Sequence, residues 1–369
     1  MTVSAARNRM LPLALVLVLA LGFGLWRVRR PGIRITSSFV PAPRSNFYFI
    51  PEHWKETRLR QLREQENFKD IPHQGQLDLF LKLCDWTHRQ WQISVPDPYP
   101  LSNALAILSD IRSGKTGGFC GQYAYVLADV LKAMGFFSVR YVELWSARGE
   151  SHFVVEAWSD QYGKWMVLDP AENLFYAFQG SDLPANALEI RSALSHPGQV
   201  DARSAGLPRI SLGSKKMHLY ANFAVSTRSD LMRLDKPLTV QDRLDMFVFF
   251  EDNATDPAAF GGRIPYTHIA SRPDDIYFGC NSVRVEHRID KNSKRIDFTF
   301  FSDGSMFNFD SFAVSGDKGK SWERSNGEYM VQIPAQASSF WVAAVNMYGR
   351  FGRPTRVKID PNLDQSPGK

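Results

Sequence analysis

The sequence predicts an α+β core in which a helix-borne cysteine packs on an antiparallel sheet, followed by an all-β sandwich-like domain, with one N-terminal membrane helix ahead of both. Three observations support it: a Gly-rich stretch runs into a helical pattern starting at Cys120, a hairpin pattern spans His152 to Asp169, and period-two alternation dominates beyond residue 270. The 369 residues allow two domains, and 26 Phe with 9 Trp supply sizeable cores.

The N-terminal helix comes first. Leu11 to Trp26 is an apolar run with arginines on both sides. At roughly 1.5 Å per residue it spans about 24 Å, close to the ~30 Å hydrocarbon core of a bilayer, and snorkelling arginines close the gap. An uncleaved, N-in anchor with an extracytoplasmic body is expected; the rival reading is a cleaved signal peptide, for which Ala20-Leu21-Gly22 is a poor cleavage site. Arg7, Arg9, Arg27, Arg29, Arg30 and Arg34 account for the whole net charge of +6: the 44 basic residues less these six equal the 38 acidic ones. The excess thus serves membrane topology, and no nucleic-acid partner is expected.

Next in order, Pro31 to Pro51 reads as a linker and Glu52 to Asp70 as a charged, solvated helix. Leu77 to Trp91 has an apolar stripe containing Cys84, which makes it an amphipathic helix with a core thiol. Ala104 to Ile111 is a short helix. Residues 120–134 form the central one, with Tyr123, Leu127, Val130, Leu131 and Met134 on a face and Gly135 as its stop. Ser138 to Trp145, His152 to Trp158 and Lys164 to Asp169 are strands; Ala171 to Leu194 is helical or irregular. Beyond residue 217 strands prevail, among them 295–300, 328–333 and 340–345, at the spacing of an Ig- or fibronectin-like sandwich. The resulting boundaries are 1–34 anchor or signal, 35–76 linker and extension, 77–215 catalytic core, 216–270 connecting region and 271–369 β-sandwich.

Cys120 suits a nucleophile. A helix start favours the thiolate and offers free N–H groups to an oxyanion, and Gly117 and Gly118 leave room for a substrate backbone. The thiol needs a base, and the base needs an orienting partner. With residues 160–163 as a four-residue loop, Ser159 pairs with Lys164 and Asp169 faces Val154, so Asp169 and His152 become diagonal neighbours on one sheet face. An odd loop length separates them.

The blocks Gly118-Phe119-Cys120-Gly121-Gln122-Tyr123-Ala124, His152-Phe153-Val154-Val155-Glu156 and Trp165-Met166-Val167-Leu168-Asp169-Pro170 resemble the transglutaminase-like superfamily over about residues 77–180. The resemblance implies a papain-like α+β fold with Cys120 as nucleophile, His152 as general base and acid, and Asp169 orienting His152. It also implies a side chain near the oxyanion, for which Trp91, Trp86 and Gln122 are the candidates. Val154 stands where the family often has an aromatic residue. The implied chemistry is a thioester intermediate formed from an amide of a protein or peptide, resolved by water in a hydrolase or by an amine in an acyltransferase, with no metal or organic cofactor. The rival from another class is an inactive scaffold acting through its β domain on a surface partner.

Other features point to less. Glu251, Asp252, Asn253 and Asp256 lack the spacing of a calcium loop, and Asn253-Ala254-Thr255 is a glycosylation sequon. His218, His268 and His287 have no ligand-like neighbours in sequence.

Overall fold

The computed structural model describes residues 32–100, 103–231, 239–303 and 306–361. The expected membrane helix at Leu11 to Trp26 lies outside them; among the described residues no helix is long and apolar enough to cross a membrane. In chain order, a short strand β1 (Arg34–Ser37) precedes four helices: α1 (Thr57–Gln65), α2 (Gly75–His88), α3 (Ala104–Arg112) and α4 (Cys120–Ala133). Strands β2 (Val139–Trp145), β3 (Ser151–Ser159), β4 (Lys164–Asp169) and β5 (Leu174–Phe178) follow, then α5 (Ala187–Leu194) and β6 (Val200–Ser204). Next come β7 (Asn222–Ser226), α6 (Val240–Met246), β8 (Phe247–Phe250), β9 (His268–Ala270) and a one-turn helix α7 (Pro273–Ile276). The last part is all strand: β10 (Ser282–Asp290), β11 (Arg295–Asp303), β12 (Phe309–Ser315), β13 (Glu323–Ser325), β14 (Glu328–Gln332), β15 (Ser338–Asn346) and β16 (Thr355–Asp360).

Helix α4 is the central element. It is apolar on nearly every side and buried from Gly121 to Ala133, as a helix packed all round must be. Gly135, at φ 89°, ends it. Around it pack α1, α2 and α3, and beneath it an eight-stranded sheet in the order β6-β5-β4-β3-β2-β7-β8-β9, antiparallel except for the β8–β9 pair. Alternation divides the sheet's side chains. Tyr141, Val155 and Leu168 enter the core shared with the helices; Val142, Val154 and Val167 enter a second core on the other face, which α5 covers with Ile190. That second face holds a charged pair. Arg140 donates from Nε to Glu156 Oε2 at 2.9 Å, and Glu156 Oε1 accepts the Ala187 N–H at the start of α5 and the Tyr277 hydroxyl.

The C-terminal part is a two-sheet sandwich. Sheet β10-β11-β14 faces sheet β1-β16-β15-β12-β13 over Phe298, Phe300, Phe312, Phe340, Val342 and Val357. Its last hairpin finishes helix α4: Asn346 Nδ2 donates to the Gly135 carbonyl and Arg350 Nε to the Met134 carbonyl, both at 2.8 Å. A cation and an amide at the negative end of α4 satisfy carbonyls the helix leaves open.

Four segments differ from the sequence reading; Leu174–Phe178, expected to be helical or irregular, is the strand β5. Residues 34–37, expected in the anchor and linker, form β1 on the edge of the sandwich, paired with β16. The stretch 216–270, expected to connect, supplies β7, β8 and β9 to the central sheet. Glu52 to Asp70 is not a solvated helix: Leu59, Leu62 and Phe68 are buried, and Glu52 lies in a buried charge cluster with Arg58, Asp129 and Lys132. Arg58 bonds both carboxylates, and Lys132 Nζ sits 2.8 Å from Asp129 Oδ1.

Candidate active site

Cys120 is the first residue of α4 and is half-buried. Phe119 precedes it in an extended conformation, φ −125° and ψ −163°, and the Phe119 N–H donates to the Gln122 side-chain oxygen at 3.1 Å, which closes the helix start. The Tyr123 N–H then makes the first helical turn to the Phe119 carbonyl. As at any α-helix start, the N–H groups of Cys120 to Gln122 have no carbonyl one turn earlier to bond, so they present positive potential at the thiol.

His152 and Asp169 reach the site from the hairpin β3–β4. The ladder has Ser159 opposite Lys164 and Val155 opposite Leu168, with 160–163 as the loop; this is the even register under which the two side chains become neighbours. His152 Nε2 lies 2.8 Å from Asp169 Oδ2. The Asp169 side chain is fully buried and the His152 side chain 9% exposed. The other carboxylate oxygen of Asp169 accepts the Glu172 N–H at 3.1 Å in the turn after Pro170. With Nε2 taken, the ring's Nδ1 is left free of Asp169, and the Cys120 side chain is near enough to the imidazole to raise its pKa. Burial pulls the imidazole pKa down, but the Asp169 charge and hydrogen bond outweigh it, Cys120 adds to them, and the result is pushed up to about 10. The structure therefore brings Cys120, His152 and Asp169 together.

The three side chains considered for the oxyanion diverge. Trp91 lies just beyond α2 and stacks on Tyr123 at 4.1 Å; its Nε1–H donates to the Gly118 carbonyl at 3.3 Å, which places the indole against the residues leading into Cys120. Trp86 donates instead to Asn67 Oδ1. Gln122 is 1% exposed and spends its carbonyl on the helix cap. The glycines also differ in role from the sequence reading. A Cβ on Gly118 would stand 2.7 Å from Trp91 Nε1, and one on Gly117 2.4 Å from the Val95 carbonyl oxygen. Both glycines admit the chain's own Trp91 and Val95.

Sequence reasoning missed Tyr99, whose hydroxyl lies 3.7 Å from where a Cβ on Gly121 would stand and whose pKa burial pushes up. It also missed the stack of His88 on Tyr123, with His88 Nδ1 at 3.0 Å from the Pro170 carbonyl. The Asp-Pro sequence at 169–170 signals a turn, but nothing in it names His88. The other cysteines, Cys84 and Cys280, are buried thiols whose pKa values burial raises. Asp252, of the calcium candidates, is taken by Arg191 and the Ala254 N–H.

Residues 70–170 match the model of the transglutaminase-like superfamily. No curated protein matches the chain. A solved structure of a transglutaminase from red sea bream aligns at 10% identity over 83% of this chain and 48% of its own, with a TM-score of 0.18, a likeness too low to bear on the site; the chain spans about half the length of that protein.

Proposed function

We propose, taking residues 70–170 as the transglutaminase-like core that they match, that the chain performs thiol-dependent acyl chemistry on an amide, either a peptide bond or a glutamine side chain. The observation that carries this reading is the convergence of a helix-start thiol on an imidazole whose other nitrogen is held by a buried carboxylate. In the first half, the Cys120 thiol yields its proton to His152 and the sulfur attacks the carbonyl carbon. The oxygen takes up the electron pair and faces the N–H groups of the helix start, flanked by Trp91. The C–N bond then breaks, His152 returns the proton to the departing nitrogen, and a thioester at Cys120 remains. In the second half, His152 deprotonates water or an amine, which attacks the thioester and restores the thiol. Water makes an acid and an amine makes a new amide.

Both branches are tested with a glutamine peptide incubated with and without a small primary amine. Ammonia release in both, with amine incorporation in the second, identifies the acyltransferase; ammonia release alone identifies the hydrolase. Cys120→Ala should abolish either product, and product formation by that variant overturns the proposal. The Leu11 to Trp26 segment is proposed as a membrane anchor with this chemistry on the extracytoplasmic side. Protease resistance of the body in intact cells, lost on opening them, contradicts that placement.

A further inference from the structure

We infer that the segment just ahead of the nucleophile helix is a subsite for an apolar side chain of the acyl donor, adjacent in that donor to the reacting amide. Four large apolar side chains are exposed there: Ile93 at 61%, Val95 at 82%, Tyr99 at 47% and Phe119 at 38%. Phe119 is the residue before the thiol, so that end of the patch adjoins Cys120 along the chain. Tyr99 meets Phe119 edge-on at 6.2 Å. An exposed apolar cluster next to a reactive group marks a binding surface, because isolated exposed apolar residues are common and grouped ones are not.

The patch is built, not loose. The Ser94 N–H donates to the Gly118 carbonyl at 2.8 Å, and the Gly118 N–H returns to Ser94 Oγ at 3.4 Å. Thr116 Oγ1 donates to the Pro98 carbonyl at 2.5 Å. The Val95 carbonyl closes on Gly117 so tightly that no Cβ fits between them. Residues 94–98 are thereby stitched to 116–118, the stretch that leads directly into Phe119 and Cys120. The occupant is the donor segment itself: whatever brings an amide to the Cys120 sulfur must lay its neighbouring side chains along this wall.

This inference rests on the catalytic reading and is tested so that the two can fail separately. The probes are two tripeptides bearing a chloroacetamide electrophile at glutamine length, one flanked by Leu and Phe and the other by Gly on both sides, with iodoacetamide as the reagent without flanks. The readout is the rate of Cys120 alkylation by intact mass. The Leu/Phe probe should react about tenfold faster or more than the Gly probe, the size of one or two apolar contacts. Ile93→Ser with Val95→Ser, and Phe119→Ser separately, should bring that ratio toward one, with the thermal midpoint showing that each variant folds. A ratio near one in the wild type, or an unchanged ratio in the folded variants, overturns the subsite. Failure of iodoacetamide to select Cys120 over Cys84 and Cys280 overturns the catalytic reading, and the subsite with it.

Discussion

His152 Nε2 and Asp169 Oδ2 lie 2.8 Å apart, held there by the far ends of two paired strands and by a carboxylate with no exposure to water. Asp169 cannot turn away, because its second oxygen is held by the Glu172 N–H. Asp169→Asn keeps the shape and removes the charge. Turnover should fall roughly 10²–10⁴-fold with KM little changed, the range for losing a positioned acid–base group. Initial rates over a substrate series measure it, and a loss below about tenfold contradicts the role.

The pH profile follows from the same pair. The His152 pKa is raised from 6.5 to about 10, so the folded protein holds this proton more tightly than the unfolded chain does. In the proposed mechanism the imidazolium is the acid for the departing amine; amide turnover should therefore persist through neutral pH and be lost as pH rises toward about 10. In Asp169→Asn the alkaline limb should move down toward 6.5. By linkage, the stability this pair contributes is fully present below about pH 6.5 and is lost as pH rises through about 10. A wild-type alkaline limb near 6.5 contradicts this picture.

Gly118→Ala tests the wall behind Cys120. The added methyl would meet Ile111 Cδ1 at 2.6 Å and Trp91 Nε1 at 2.7 Å, and two residues later the chain reaches Cys120. A loss of about 1–3 kcal/mol in urea unfolding is expected from such overpacking, with slower Cys120 alkylation as the helix start shifts. Unchanged stability and unchanged alkylation contradict it.

Lys132→Met probes the buried charges beneath α1. The ammonium lies 2.8 Å from Asp129 Oδ1, 3.3 Å from Glu52 Oε2 and 2.8 Å from the Ser229 carbonyl, with no exposure. Burial already pushes the Glu52 carboxyl up, and Lys132 and Arg58 work against that. Removing one cation leaves two buried carboxylates to Arg58 alone, and about 3–5 kcal/mol of stability should be lost. A stability loss under about 1 kcal/mol, from the denaturant midpoint and slope, contradicts it.

What could be read from sequence was local. The helix from Cys120 to Gly135 announces itself by glycines before it, an apolar pattern within it and a glycine stop, all inside one stretch of chain. The hairpin register needed only strand alternation and an even loop, and the ladder from Ser159–Lys164 to Val155–Leu168 has it. What stayed hidden depends on partners far off in sequence. The pairing of Arg34 with Asp360 joins the two ends of the described chain, and no period in either segment encodes it. Glu52 and Arg58 looked solvated because their charges are visible in sequence and the positions of their partners Asp129 and Lys132 are not. The two glycines before Cys120 were legible as a need for space; that Trp91 and Val95 occupy it follows only from the fold.

The most direct measurement is competitive alkylation of the three cysteines in the folded protein, read by peptide mass. Cys120 should react at least about tenfold faster than Cys84 and Cys280, since only its thiol is half-exposed at a helix start beside a charged imidazole. His152→Ala should remove that advantage. Equal labelling of all three cysteines, or a preference for Cys120 that survives in His152→Ala, contradicts the assignment of Cys120, His152 and Asp169 as one catalytic unit.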